Sequence, residues 1–191
     1  MCRKLPGALA LMVLILVTAC APGVQPAGSP GPPLKPGLYV SESYRAPGIN
    51  PGNLTCFLEP FAGAAAHGPE ETFSRLFQEE LLRAWQTQGL NLGPPESPCR
   101  LSGVIHQLTI RGSRLRRFTG RLHARLVLAG ALQQDDRVLF AFRDEVQASS
   151  PVAPGPAAPR EQELLLRFLA REAANRLLNE LLLGRESPPP E

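Results

Sequence analysis

Residues 121–132, Arg-Leu-His-Ala-Arg-Leu-Val-Leu-Ala-Gly-Ala-Leu, alternate in polarity. Leu122, Ala124, Leu126 and Leu128 face one way, and Arg121, His123 and Arg125 face the other. A period of two with one apolar side is what a strand half-buried in an antiparallel sheet requires. Gln133-Gln134-Asp135-Asp136 then reads as a turn, and Arg137–Ala148 as the returning strand, with Val138, Phe140 and Phe142 on one face. Upstream, Arg100–Ile110 sets Leu101, Gly103 and Ile105 against Ser102, Val104 and His106, and Leu108 and Ile110 complete the run. Three such segments in succession predict an antiparallel meander.

Two amphipathic stretches bracket the meander. Gly68-Pro69-Glu70-Glu71 suits a helix start, with Pro in the first turn and acids at the positive end of the dipole. Phe73, Leu76, Phe77, Leu81 and Leu82 follow at helical spacing, Trp85 lies near the end, and Gly89 is a natural stop. The second helix is Glu161–Leu183, with Leu164, Leu165, Phe168, Leu169, Leu177, Leu178, Leu181 and Leu182 on one stripe. Ahead of the first helix, Leu54–Phe61 reads as a strand ended by Pro60, and Gly37–Tyr44 as a weak strand or docking segment broken by Pro47 to Pro51. The order β-α-β-β-β-α combines a parallel crossover with the meander. It predicts an α+β domain, a single layer of about four strands with both helices packed on one face.

The start of the chain has a different character. Arg3 and Lys4 precede the apolar run Leu5–Val17, and Thr18-Ala19 brings small residues up to Cys20. Charged, apolar and small-residue regions in that order make a secretory signal. The run of about 13 residues is too short to span a bilayer, which takes roughly 20. Ending on cysteine, the segment resembles the lipobox of a bacterial lipoprotein, which implies that Cys20 is acylated and becomes the N-terminus. Ala21-Pro22 follows with no Asp beside the cysteine, and the sorting habit of enteric lipoproteins then implies the outer membrane. The predicted organisation is a signal at 1–19, a Pro/Gly-rich tether at 20–36, the α+β domain at 37–184 and a disordered tail at 185–191.

Loss of Arg3 and Lys4 leaves 18 basic against 17 acidic residues in 172 positions, so net charge gives no reason to expect a nucleic-acid partner. His67, His106 and His123 are scattered, and no CxxC or HxxxH occurs, so no metal or cofactor is expected. There is no nucleophile elbow, phosphate-binding loop or cluster of carboxylates, and Ser149-Ser150 has no base near it in sequence. His67, Glu70 and Glu71 are explained by a helix start. No catalytic residue is assigned, and the expectation is that the protein is not an enzyme.

The strongest constellation is basic. Arg111, Arg114, Arg116, Arg117 and Arg121 fall between two predicted strands, Leu115 and Phe118 interrupt them, and Arg125 continues on the polar face. Guanidinium forks beside apolar side chains suit a phosphorylated lipid. The competing reading is a solvated loop whose charges keep a sheet edge from aggregating. Cys56 and Cys99 flank the crossover helix. In an oxidising compartment they form a disulfide if their strands are neighbours, and otherwise remain two buried thiols.

From Leu38 to Leu183 the pattern resembles the LptE family of lipopolysaccharide-assembly lipoproteins. The likeness runs through the acylated Cys20, the spacer, the strand ending in an acid and Pro, the amphipathic helix, Cys99-Arg-Leu-Ser-Gly-Val-Ile, Arg121-Leu-His-Ala-Arg-Leu-Val-Leu, the Asp135-Asp136-Arg137-Val138-Leu139 hairpin and the last Leu/Ala/Arg helix. It implies an outer-membrane plug within an LptD-like β-barrel partner, with lipopolysaccharide as ligand and the Arg111–Arg125 region meeting its phosphates. Tyr39, Tyr44 and Trp85 then serve either the core or the barrel lumen. Two other readings fit the size and anchoring, an auxiliary lipoprotein of a lipid-transporting ABC system and a cell-wall enzyme activator.

Overall fold

The meander predicted around residues 121–132 forms the centre of the sheet. The computed structural model describes residues 32–63, 68–112, 121–151 and 159–183, all within one compact unit, residues 31–191. Its strands are β1 (Lys35–Pro36), β2 (Glu42–Arg45), β3 (Thr55–Leu58), β4 (Ala62–Gly63), β5 (Asn91–Leu92), β6 (Cys99–Arg111), β7 (His123–Gln134) and β8 (Arg137–Ser149). The helices are α1 (Pro69–Thr87) and α2 (Pro159–Leu181). The sheet order is β1-β2-β8-β7-β6-β3-β5, with β4 also paired to β6. The β3–α1–β6 crossover is parallel, and β6–β7–β8 pair antiparallel. The α+β class and the core order are as expected. Among the described residues the sheet has eight strands rather than about four, because short segments of two to four residues add to it. One of them, β1, falls inside the stretch expected to be tether.

One face of the sheet is apolar and meets both helices. Leu101 and Ile105 of β6, Leu126, Leu128 and Leu132 of β7, and Phe140, Phe142 and Val146 of β8 are buried on it. They join Phe73, Leu76, Phe77, Leu81 and Trp85 of α1 and Leu165, Leu169, Leu177 and Leu181 of α2 in one cluster. A register shift between Ile105 and Gln107 accounts for the change of phase within β6. One extra residue turns the side-chain alternation over, so Leu108 and Ile110 stay on the inner side with Ile105. A second shift lies beyond Leu132, and there Leu139, not Val138, packs against the core.

Gly103 and Gly130 are cross-strand partners on this inner face. A Cβ on Gly103 would collide with the Phe61 ring and come within 2.5 Å of the Ala129 carbonyl oxygen. Phe61 fills the hollow the two glycines leave, edge-on to Phe77 at 4.9 Å between ring centroids.

Two expectations about α2 need correction. Leu164 and Phe168 do not face the core but are 60% and 57% exposed. The stripe rotates toward Leu166, Ala170, Ala173 and Ala174, and the three alanines, with their small side chains, let α2 lie close against α1 and the sheet.

Candidate functional site

The register of the meander places the predicted arginines. Arg111 ends β6 opposite His123, which in turn faces Ser149 of β8. Gly112, at φ 137°, passes within 2.8 Å of the Arg121 carbonyl oxygen as judged from its would-be Cβ, so the two limbs of the connection begin close together. Arg114, Arg116 and Arg117, with Leu115 and Phe118, lie outside the described residues, as does Cys20.

The described arginines do not converge on one pocket. Arg121 lines a groove of about 700 Å³ with Ser149, Ser150, Leu164, Leu165 and Phe168, between the end of β8 and the first turns of α2. This groove explains the exposure of Leu164 and Phe168, which stand four residues apart on one helix face. Arg125 projects from the opposite face of the sheet. It grips Glu145 with both prongs, Nε to Oε1 at 2.8 Å and Nη2 to Oε2 at 2.6 Å. The hydrogen bond from Arg125, followed by one from Gln147, holds the Glu145 carboxyl below its usual range, and the same pair raises Arg125 above its ordinary value. Arg125 lines a separate open cleft with His106 and Arg143.

Ser149 has no base near it in sequence, but the fold brings one beside it in space. Its Oγ lies 2.9 Å from His123 Nδ1 across β7 and β8. The pair sits exposed in the outer row that also holds Arg111, a site for polar contact.

Cys56 and Cys99 are direct partners on parallel strands β3 and β6, with α-carbons 4.5 Å apart, and form a disulfide. Neighbouring strands settle the choice between bridge and free thiols. The bond ties the base of the crossover and has no part in the groove.

The buried acids carried no sequence signal beyond their spacing. Glu180 of α2 accepts the Leu38 and Tyr39 backbone N–H groups at 2.9 and 2.7 Å and the Ser43 hydroxyl at 2.7 Å. Asp144 of β8 accepts the Ser41 N–H and hydroxyl at 2.9 and 3.0 Å. These contacts seat the segment leading into β2 upon α2 and β8, and Val40, 3% exposed within the core cluster, adds an apolar anchor. The stretch read as a docking segment is thus docked by acids and an apolar side chain together. Tyr39 remains 41% exposed, whereas Trp85 is fully buried and donates to the Asn91 carbonyl at 3.2 Å.

Among the described residues no helix is long and apolar enough to cross a membrane, and no group of side chains has the makings of a metal site. No family model and no curated protein matches the chain. Solved structures similar to it include rare lipoprotein B from Shewanella oneidensis, 14% identical with a TM-score of 0.43 over 69% of this chain and 96% of that one. A minor lipoprotein from Acinetobacter baumannii is 12% identical, with a TM-score of 0.46 over 69% and 94%. The PelC dodecamer from Paraburkholderia phytofirmans is 11% identical, with a TM-score of 0.42 over 71% and 94%. Bacterial lipoproteins are thus among the solved structures similar to the chain.

Proposed function

We propose that this chain is a lipid-anchored outer-membrane protein of the LptE kind, which plugs an LptD-like β-barrel translocon and assists lipopolysaccharide into the outer leaflet. Cys20 carries the lipid, and the protein acts by binding rather than catalysis. The observation that carries the reading is the groove in which Arg121 stands beside the exposed Leu164 and Phe168. It opens at the end of the sheet where Arg111 leads into the remaining arginines of the connection. A phosphorylated glycolipid presents both chemistries, anionic oxygens for guanidinium forks and acyl chains for an apolar wall. Exposed apolar side chains placed together are also what a binding surface requires. Arg125 is held by Glu145 through two hydrogen bonds.

The test begins with the acylated protein in mild detergent and identification by mass spectrometry of what accompanies it. A large outer-membrane barrel in near-equal amount is expected. Inner-membrane transporter subunits in its place would favour the ABC-system reading, and a cell-wall synthase the activator reading. Charge reversal at Arg116 and Arg117, and separately Phe168→Glu, should weaken lipopolysaccharide binding with the fold intact. Binding unchanged in both across several salt concentrations rules the groove out.

A further inference from the structure

The helix pair carries a second basic cluster, separate from the arginines of the meander. Glu80 of α1 is only 3% exposed, yet three guanidinium groups converge on its carboxylate. Arg83 reaches both oxygens through Nη1 at 3.3 and 3.2 Å, and Arg171 donates Nε at 3.3 Å. Arg167 lies 3.6 Å from Glu80 and 3.5 Å from Glu79, which also takes Arg75 at 2.7 Å. Four arginines thus share two carboxylates, and the cluster keeps a positive charge.

Its geometry turns donors outward. Arg83 spends only Nη1 and Arg171 only Nε, so their other guanidinium nitrogens make no hydrogen bond among the described residues. Both side chains are more than half exposed. Between them, toward the C-terminal ends of both helices, lies a cleft of about 160 Å³ whose walls include Thr87, Asn175 and Asn179.

We propose that this cleft binds a phosphate-type oxyanion, clamped between the Arg83 and Arg171 forks across α1 and α2. Glu80 is a positioning residue. Buried beneath the guanidinium groups, it holds them in place, so less side-chain freedom is lost when the anion arrives. The outward donors of two arginines and two carboxamides outnumber what the two oxygens of a carboxylate use well. A phosphate offers a third strong acceptor. The cleft is far below the roughly 300 Å³ at which sites for larger ligands begin, which fits a single anionic group and leaves no room for an acyl chain. A lipid headgroup and free phosphate share this chemistry. The inference goes beyond the lipopolysaccharide reading and stands whether or not that reading does.

The experiment follows the arginine Nε–Hε resonances of the full-length acylated protein by ¹⁵N NMR. Inorganic phosphate is titrated in first. The protein is then placed in phosphatidylglycerol vesicles, with phosphatidylcholine vesicles for comparison. Saturable shifts of Arg83 and Arg171 are expected. With inorganic phosphate they identify a free-phosphate site, and with phosphatidylglycerol alone a headgroup site. Arg171→Gln should weaken binding by about tenfold or more. Because that change also touches the helix contact, Asn179→Asp is the second variant. It leaves the Glu80 cluster intact and adds a negative charge at the cleft, so it too should weaken binding. No saturable shift with either probe, or unweakened binding in Asn179→Asp, overturns the proposal.

Discussion

Asp144 and Arg176 meet at 2.9 Å, Oδ1 to Nη2, across the boundary between β8 and α2. Asp144 is 2% exposed, and the same oxygen accepts the Ser41 N–H and hydroxyl. One carboxylate therefore ties the segment before β2 and the last helix to the inner face of the sheet. Removing a single partner of a buried pair strands the other charge. Asp144→Ala should accordingly lower unfolding stability by about 3–5 kcal/mol. Ser41→Ala, which leaves the ion pair in place, should cost about 1 kcal/mol. Urea unfolding of both variants checks the ranking, and a larger effect from Ser41→Ala would contradict it.

The Cys56–Cys99 bridge spans a sequence separation of 43 and encloses the whole crossover helix. Loop-closure entropy assigns about 4 kcal/mol to a loop of that length. A Cys56→Ala, Cys99→Ala variant should keep the far-ultraviolet spectrum of the native protein and unfold at a lower urea midpoint. The reduced wild type should match it.

Phe61, Gly103 and Gly130 form a coupled unit. Gly103→Ala drives a methyl group into the ring and should cost about 1–3 kcal/mol. Phe61→Ala should cost about 3–5 kcal/mol through the cavity it opens. The double variant should cost less than the sum of the two, because the new methyl group enters space the ring has left. Strict additivity in a double-mutant cycle would refute the coupling.

Glu145 is depressed by its hydrogen bonds to Arg125 and Gln147. A carboxylate whose folded pKa lies below its unfolded value stabilises the fold above that unfolded value. The contribution is lost as pH falls through the folded one. The affected window lies below about pH 4.3, the ordinary value for Glu. Followed by NMR, the Glu145 titration midpoint should move upward in Arg125→Gln. An unmoved midpoint would show that Gln147 or the backbone dominates.

The core of the fold was legible because it rests on local periodicity. The alternation of residues 121–132 marks the inner face of β7. Even the bulge in β6 left a trace, as the shift from odd positions (Leu101, Gly103, Ile105) to even ones (Leu108, Ile110). Asp135-Asp136 is a turn with both residues at positive φ, 48° and 66°, as a two-residue hairpin demands. Strands of two residues, such as β1, β4 and β5, are too short to show any period.

The sequence by itself determined the two helices, the three long strands and their order, and the side that α1 and the strands turn to the core, while the face of α2 was set only on packing. Spacing along a helix or strand selects a face before any partner is present. Tertiary structure alone decided that Leu164 and Phe168 line a groove, that Arg125 is taken by Glu145 while Arg121 borders apolar side chains, and that Cys56 lies opposite Cys99. It also decided that Glu80, Asp144 and Glu180 are buried. Burial of a charge depends on donors brought from far along the chain, such as Leu38 to Glu180 across 142 residues, and no local pattern records a partner at that distance.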